Sequence, residues 1–462
     1  MAVISLSRNT TIFILLAIVP LIAGTQELIC NCVSENNNYL QTIQEAINRA
    51  EPGETIHVPS GVYFEHLVIN KSISLVGENL TSTILDGNGT GILVEILSDN
   101  VSLHNFTLRN AEKIVTLINV KNCEVQGNII ANITNSTHGT GIRAQNCENI
   151  RIYENIFDSL DCYNIYFSQT RKSFIEENMF NANKRWSQPI FLYFSEENVI
   201  ESNNVSGYEA LNEGGIGLLY SNNNLIRYNY IFENDWVGLS LRYSNCNVIE
   251  GNTITKHTWY GLKMENCREN NVHWNNFLSN YKHANIKNCE NITWSLEKFG
   301  NYWDNYAGKD LDMNGVGEEP YQIDSENFDF FPLMGKFHNY KIGYDHSEGE
   351  IFIISNSTIE NPIFIRINES ASIVFNASGR QGTIGFCLTK FSKSLIEPPY
   401  NVEINGYSPV CLFNYSDDAN AILYFAYLHQ NQSENIKIIP EFNSILMLAI
   451  FCTLSLLIIR RK

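Results

Sequence analysis

Seven times between residues 123 and 277 the chain returns to one short pattern: an aliphatic residue, two variable ones, an asparagine, another variable residue and an apolar one. It reads CEVQGNII at 123–130, NVIEGNTI at 247–254 and NNVHWNNF at 270–277. The central residues are Asn128, Asn155, Asn178, Asn203, Asn229, Asn252 and Asn275, separated by 27, 23, 25, 26, 23 and 23 residues. A period in the twenties that drifts by a few residues is the mark of a solenoid, in which each repeat buries its apolar side only against its neighbours. The L-x-x-L-x-L consensus of leucine-rich repeats is missing, and helical repeats are longer. Here the runs are short, β-branched or aromatic, and cut by Asn and Ser, which reads as strands and turns.

A second strand precedes each copy, as in IFLYF at 190, GLSLRY at 238 and GLKMEN at 261. Each coil is therefore two or three strands bent around a core and stacked on the next about 4.8 Å away. Asn at a bend tolerates the left-handed backbone conformation, and amides stacked in register bond along the column as in cross-β structures. The expected fold is a parallel β-helix. TIQEAINRA at 42–50 carries Thr42 and Glu45 in capping-box spacing with Ile43, Ala46, Ile47 and Ala50 on one face, and suits a helix that covers the open first coil.

The alternating strands that follow this helix, the asparagine ladder and the later GNYWDNYAGKDLDMNGVGEEPYQID resemble the NosD-type family of right-handed β-helices over residues 38–335. That family sits in the pectin-lyase-like, carbohydrate-binding and sugar-hydrolase group. The resemblance implies a right-handed solenoid, a glycan-related role or a copper-handling accessory role, and it specifies fold better than activity.

The expected organisation is a signal peptide at 1–24, a β-helix with its cap and an Asp/Asn/Gly loop at 25–335, an Ig-like antiparallel β-sandwich stalk at 336–437, and an anchor at 438–462. Ile12–Gly24 is a short apolar run behind Arg8, shaped like a secretory signal. Ile445–Ile459 is apolar and followed by Arg460, Arg461 and Lys462; fifteen residues rise only about 23 Å, so flanking residues must extend a span of about 30 Å. Pro440-Glu441-Phe442 before this run resembles an archaeal PEF-CTERM sorting signal, which implies a sortase-like processing enzyme and a lipid in place of the helix; a plain transmembrane anchor is the alternative. Sequons such as Asn70, Asn79, Asn291 and Asn414 fit an exported glycoprotein. The net charge of −18 excludes nucleic acid as a partner.

Four groups carry candidate chemistry. Asp310, Asp312, Asn314 and Glu318 match the front of a calcium loop, with Tyr321 where the bidentate Glu of an EF-hand would stand. Asn-Cys recurs at Cys123, Cys147, Cys246, Cys267 and Cys289, as stacked thiols or small interior residues, while Cys387 and Cys411 are candidates for a disulfide. Copper is disfavoured, since only six Met occur and the His residues lack ligand spacing. The outward face of the strand before each ladder gathers Tyr166, Phe191, Tyr193, Arg242 and Lys263 as candidate glycan contacts. Arg242, Lys263, Glu265 and His283 are the weak catalytic candidates for a lyase or hydrolase, with a solvated, non-catalytic face favoured. The expectation is a surface protein that engages extracellular polysaccharide or glycan; the alternatives are a structural or adhesive surface protein and a copper-handling accessory.

Overall fold

In a computed structural model the described residues are 28–29, 42–134, 139–158, 160, 162–181, 187–206, 214–344, 347–367 and 370–440. The expected signal peptide, Cys30, Cys32 and the chain after Pro440, with its anchor or sorting signal, lie outside them. Among the described residues no helix is long and apolar enough to cross a membrane.

Among the described residues the solenoid has three parallel sheets with strands joined coil to coil: a first sheet and a third sheet of 11 strands each, and a second sheet of 10. Register is in step along the stack, so that Val125 faces Ile152, Ile152 faces Ile175 and Ile175 faces Ile200. The aliphatic residue of each repeat thus belongs to the first sheet, and the apolar residue after the asparagine to the third, where Phe157 and Phe180 stack at 4.7 Å. These columns fill an interior in which Ile152, Ile200, Leu241 and Phe277 are wholly buried.

The repeat asparagines sit at the corner between the first and third sheets, with side chains turned inward. Nδ2 of Asn203 donates to Oδ1 of Asn229 at 2.9 Å and to Ile175 O at 2.8 Å, while its own Oδ1 accepts the backbone N–H of Asn178 at 3.0 Å. The column runs from Asn128 to Asn275 in this way and continues to Asn301. The left-handed residue of the corner is the one before each asparagine, not the asparagine itself: Glu154, Glu177, Ser202, Tyr228 and Trp274 have φ between 53° and 59°. The amide is needed for its inward hydrogen bonds, and its neighbour takes the strained dihedral.

Two further columns line the corner between the second and first sheets. One is Asn198, Asn224, Asn247 and Asn270, linked Oδ1 to Nδ2 at 3.0–3.1 Å. The other is hydroxyl-based: the amides of Thr170, Ser195 and Ser221 donate to the Oγ atoms of Ser195, Ser221 and Ser244.

The cap is a short helix, Ile43–Arg49, with Ile43, Ala46 and Ile47 buried on the first coil. Thr42 Oγ1 accepts from the Glu45 amide at 3.1 Å, and the carboxylate of Glu65 takes the amides of Ile43 and Gln44. First-turn donors are thereby satisfied from the first coil itself.

From Lys336 to Pro440 the chain forms a five-stranded and a four-stranded antiparallel sheet, packed face to face around Ile351, Ile353, Phe375, Phe391, Phe425 and Ile436. This unit leans on the flank of the last coils rather than standing below them. The Phe337 N–H donates to Asn276 Oδ1 and Asn276 Nδ2 to Phe337 O, both at 2.8 Å, and the Trp274 and Phe337 rings stack at 5.5 Å. The contact uses Tyr228, Gly251 and Trp274, at the corner opposite the second sheet, away from that sheet's outer face.

Candidate functional site

Alternation along the strands of the second sheet sends two rows of side chains outward. One row is Arg143, Tyr166, Phe191, Gly217, Ser240, Lys263 and Asn285. The next is Gln145, Ser168, Tyr193, Leu219, Arg242, Glu265 and Lys287. Tyr166, Tyr193, Arg242, Lys263 and Glu265 therefore do share one face. Phe191 shares it too but is only 6% exposed, because its ring packs against Tyr163 and Tyr166 at 5.3 and 5.9 Å. Arg143 lies over the Tyr166 ring at 5.5 Å, a cation–π contact that presents a guanidinium beside the aromatics.

His283 does not join this face. Its ring turns to the inner side of the sheet, against Phe277 and Trp303, with Nε2 2.9 Å from Asp304 Oδ1. Burial pulls its pKa below the ordinary histidine value. The proposed grouping of His283 with Arg242, Lys263 and Glu265 is therefore wrong, since the strand enters the sheet with His283 and Ala284 both inward. Lys287 Nζ lies 3.0 Å from Glu265 Oε1 and holds that carboxyl below the usual glutamate range. An acid that stays ionised makes a poor proton donor near neutrality.

The turns flanking the face were not singled out from the sequence, and they carry its most exposed apolar groups. On the side leading to the first sheet, Phe194, Tyr220 and Tyr243 occupy the same left-handed turn position on successive coils, with φ of 49°, 51° and 50°. Their rings stack at 4.9 and 5.0 Å, within 14° of parallel, and stand 50%, 40% and 44% exposed. On the other side Trp236 and Trp259 meet edge to face at 4.7 Å, Tyr260 stacks on Trp259, and Tyr281 protrudes. The result is a trough with aromatic rims, charged at Arg242, Lys263 and Glu265 and closed at Phe191, Gly217 and Ser240, which are buried. Because the Phe194–Tyr220–Tyr243 rings are stacked on one another, they offer a ligand ring edges and tyrosine hydroxyls at one-coil spacing. A signal was present: an aromatic follows the second-sheet strand in three successive repeats, at YF, LY and RY. Between residues 139 and 290 the one Asn-x-Ser/Thr sequon is Asn204, and it lies in the third sheet, away from the trough.

The acidic loop lies elsewhere, against the sandwich. Carboxylate oxygens of Asp310, Asp312 and Glu318 fall within 4.8 Å of one another. Asp310 accepts the amides of Asn314 and Gly315, and Glu318 Oε1 accepts that of Leu311. Asn314 Oδ1 is engaged by the Val316 amide. Burial, with Asp312 nearby, raises the Asp310 pKa. Tyr321, at the twelfth position, stacks on Trp303.

Cys387 and Cys411 are free thiols. They lie on either side of the strand Asn420–Leu428, opposite Phe425 and Ala426 respectively, hence two strands apart on opposite faces of one sheet. The expected disulfide is ruled out by this geometry.

The family model described as periplasmic copper-binding protein (NosD) matches residues 98–308. No curated protein matches the chain in sequence. Among solved structures, the Azotobacter vinelandii mannuronan C-5 epimerase AlgE6 A-module is 13% identical, with a TM-score of 0.39 over 55% of this chain and 93% of that one. The Dettilon tailspike protein (gp208) is 11% identical, with a TM-score of 0.40 over 86% of this chain and 89% of that one. Both are likenesses of architecture.

Copper(I) requires clustered soft donors in thiolate, thioether or imidazole form. The described cysteines do not supply such a cluster. Cys123 falls in the second amide column beside Ile150 and Ser173, and burial pushes its thiol up to about 11. Cys147 stands in the hydroxyl column four coils before Ser244, and Cys246 is exposed beside Glu269. Of the five Asn-Cys positions, one pair, Cys267 and Cys289, shares a column on successive coils. Among the described residues no set of soft donors fits a copper centre.

Proposed function

We propose that this protein binds an extracellular polysaccharide or glycan along the outer face of the second sheet, without catalysing its cleavage. The observation that carries this reading is the double aromatic rim, Phe194–Tyr220–Tyr243 on one side and Trp236–Trp259 on the other, repeated over successive coils. Exposed aromatic groups of this number, rimming one face, mark an interaction surface rather than a solvated face. A strip that repeats once per coil suits a ligand that also repeats. The trough's freedom from sequons supports access by a large chain. Glu265, ionised and paired with Lys287, is poorly suited to act as a general acid. The sequence ends support export and display at the outer side of the cell membrane, with the C-terminal segment as anchor.

Affinity electrophoresis of the full-length chain through gels containing individual polysaccharides tests the reading. Retardation by at least one polysaccharide is expected, and loss of it in a Tyr220→Ala/Tyr243→Ala variant. Migration unaffected by any of them would leave a structural spacer as the better account.

A further inference from the structure

The hydroxyl column at the corner between the second and first sheets ends in two thiols. Thr170, Ser195, Ser221 and Ser244 hold it on successive coils, each donating its hydroxyl to the carbonyl two residues before it at 2.9–3.3 Å. Cys267 and Cys289 take the same place on the next two coils, because Arg242, Glu265 and Lys287, two residues before Ser244, Cys267 and Cys289, are registered partners. Cys267 Sγ lies 3.4 Å from Glu265 O, Cys289 Sγ 3.4 Å from Lys287 O, and the Cys267 amide donates to Cys289 Sγ at 3.4 Å. Serine makes the equivalent hydrogen bonds on the coils before, so the column itself does not call for sulfur. What sulfur adds is the capacity to bond to sulfur.

Coils stack about 4.8 Å apart, inside the Cα separations of roughly 4.4–6.8 Å that disulfides span. The two thiols differ in access, Cys267 being wholly buried and Cys289 part-exposed. The hydrogen bond between them lowers the Cys289 pKa and, together with burial, raises that of Cys267. Burial raises the thiols of Cys123, Cys147 and Cys387 as well. A thiolate is the nucleophile in disulfide exchange, so Cys289 is the sulfur placed to react first and Cys267 the one placed to resolve.

We infer that Cys267 and Cys289 are a redox modification site, a dithiol that a low-molecular-weight disulfide converts reversibly into a crosslink between neighbouring coils. The Cys289 thiolate attacks one sulfur of the small disulfide, forming a mixed disulfide and expelling the other half as a thiolate. That thiolate takes the proton of Cys267, whose sulfur then displaces the remaining half from Cys289 Sγ. The second half takes from solvent the proton that Cys289 had given up. The protein thus loses two hydrogens, and the oxidant leaves as two thiols. Both side chains point toward their own strand's carbonyl, so closure must turn them toward each other, and a bond closed in that way is readily reduced. The strand tied down, Lys282–Lys287, ends the second sheet among the described residues, and the crosslink pins that edge against fraying.

The test uses the reduced full-length chain, made in a host that adds no glycan to Asn291. It is incubated with glutathione disulfide, unfolded in N-ethylmaleimide and digested with trypsin for mass mapping. The expected main product is peptide 264–268 joined to peptide 288–298, two hydrogens lighter than the free pair, with Cys123, Cys147 and Cys387 alkylated. Excess reduced glutathione should return both peptides to the alkylated form. Because serine already serves this column, Cys267→Ser and Cys289→Ser are expected to melt within a few degrees of the wild type. Cys267→Ser should stop at the mixed disulfide on Cys289, and Cys289→Ser should leave Cys267 unmodified. Glutathione retained on Cys289 of the wild type, a crosslink from either thiol to another cysteine, or alkylation of both after oxidation would overturn the pair. A crosslink that survives excess glutathione would overturn its reversibility.

Discussion

The carboxylate of Asp329 accepts the backbone amide of Asn301 at 2.8 Å and thereby ends the column of side-chain amides that begins at Asn128. The same Oδ2 takes the indole N–H of Trp303 at 2.9 Å. Every asparagine before it gives an Nδ2 hydrogen to the Oδ1 of the next, so the last one needs an acceptor beyond it, and a carboxyl oxygen of Asp329 is that group. Asp329 is wholly buried.

Replacing an asparagine within the column leaves buried partners on both sides. Asn203→Ala strands the carbonyl of Ile175 and the amide of Asn178. Each unsatisfied group costs about 1–3 kcal/mol, so a loss of about 3–5 kcal/mol is expected. Asn203→Asp should be worse, since a carboxylate cannot donate to Ile175 O. Chemical denaturation followed by far-ultraviolet circular dichroism measures both; a loss under 1 kcal/mol would contradict the column's role.

Burial raises the Asp329 carboxyl from its ordinary value of 3.8 to about 6. A raised folded-state pKa means that the folded form holds the proton more tightly. Its contribution is thus fully present below pH 3.8 and is lost as pH rises through about 6. The difference corresponds to about 3 kcal/mol. Wild-type protein compared with Asp329→Asn between those limits should show a stability difference that changes with pH in that sense. Parallel profiles would contradict it.

Tyr220 stacks between Phe194 and Tyr243 at the exposed turn. Tyr220→Ala should lower polysaccharide affinity by about tenfold, the scale of one aromatic contact, while shifting the melting temperature little. Tyr220→Phe separates ring from hydroxyl: retained affinity would assign the contact to the ring edge, and lost affinity to the hydroxyl.

The Asp310–Asp312–Glu318 cluster is proposed to hold a calcium ion that braces the solenoid end against the sandwich, where the Tyr415 hydroxyl reaches the carbonyl of Asp312 at 3.3 Å. A hundredfold excess of calcium over its Kd should stabilise the protein by about 2–3 kcal/mol. Asp312→Asn should abolish that gain. Identical melting in calcium and in chelator would refute the site.

The solenoid was legible because its register is written in one recurring residue. An aliphatic residue three before each asparagine and an apolar one two after must both face inward, which fixes the strands on either side of the corner. The outward rows followed from alternation alone, which is how Tyr166, Tyr193, Arg242 and Lys263 could be placed together. His283 escaped because alternation breaks where its strand enters the sheet. The second amide column escaped because Cys123 and Ser173 stand in for asparagine in its early coils, erasing the repeat. The aromatic rims escaped because Phe194, Tyr220 and Tyr243 sit in left-handed turns, where such side chains are costly and turn signals direct attention to Asn and Gly. The cysteine pairing failed since no local pattern reveals which strand intervenes between Cys387 and Cys411.

The one-way hand-off of hydrogens along the asparagines makes every interior coil interchangeable with its neighbours. A coil can be gained or lost whole, its predecessor simply bonding to the next, while Glu65 at the capped end and Asp329 at the other keep their partners. The length of ligand that such a molecule can grip is then set by how many coils are inserted, and evolution can lengthen or shorten the grip without redesigning either end.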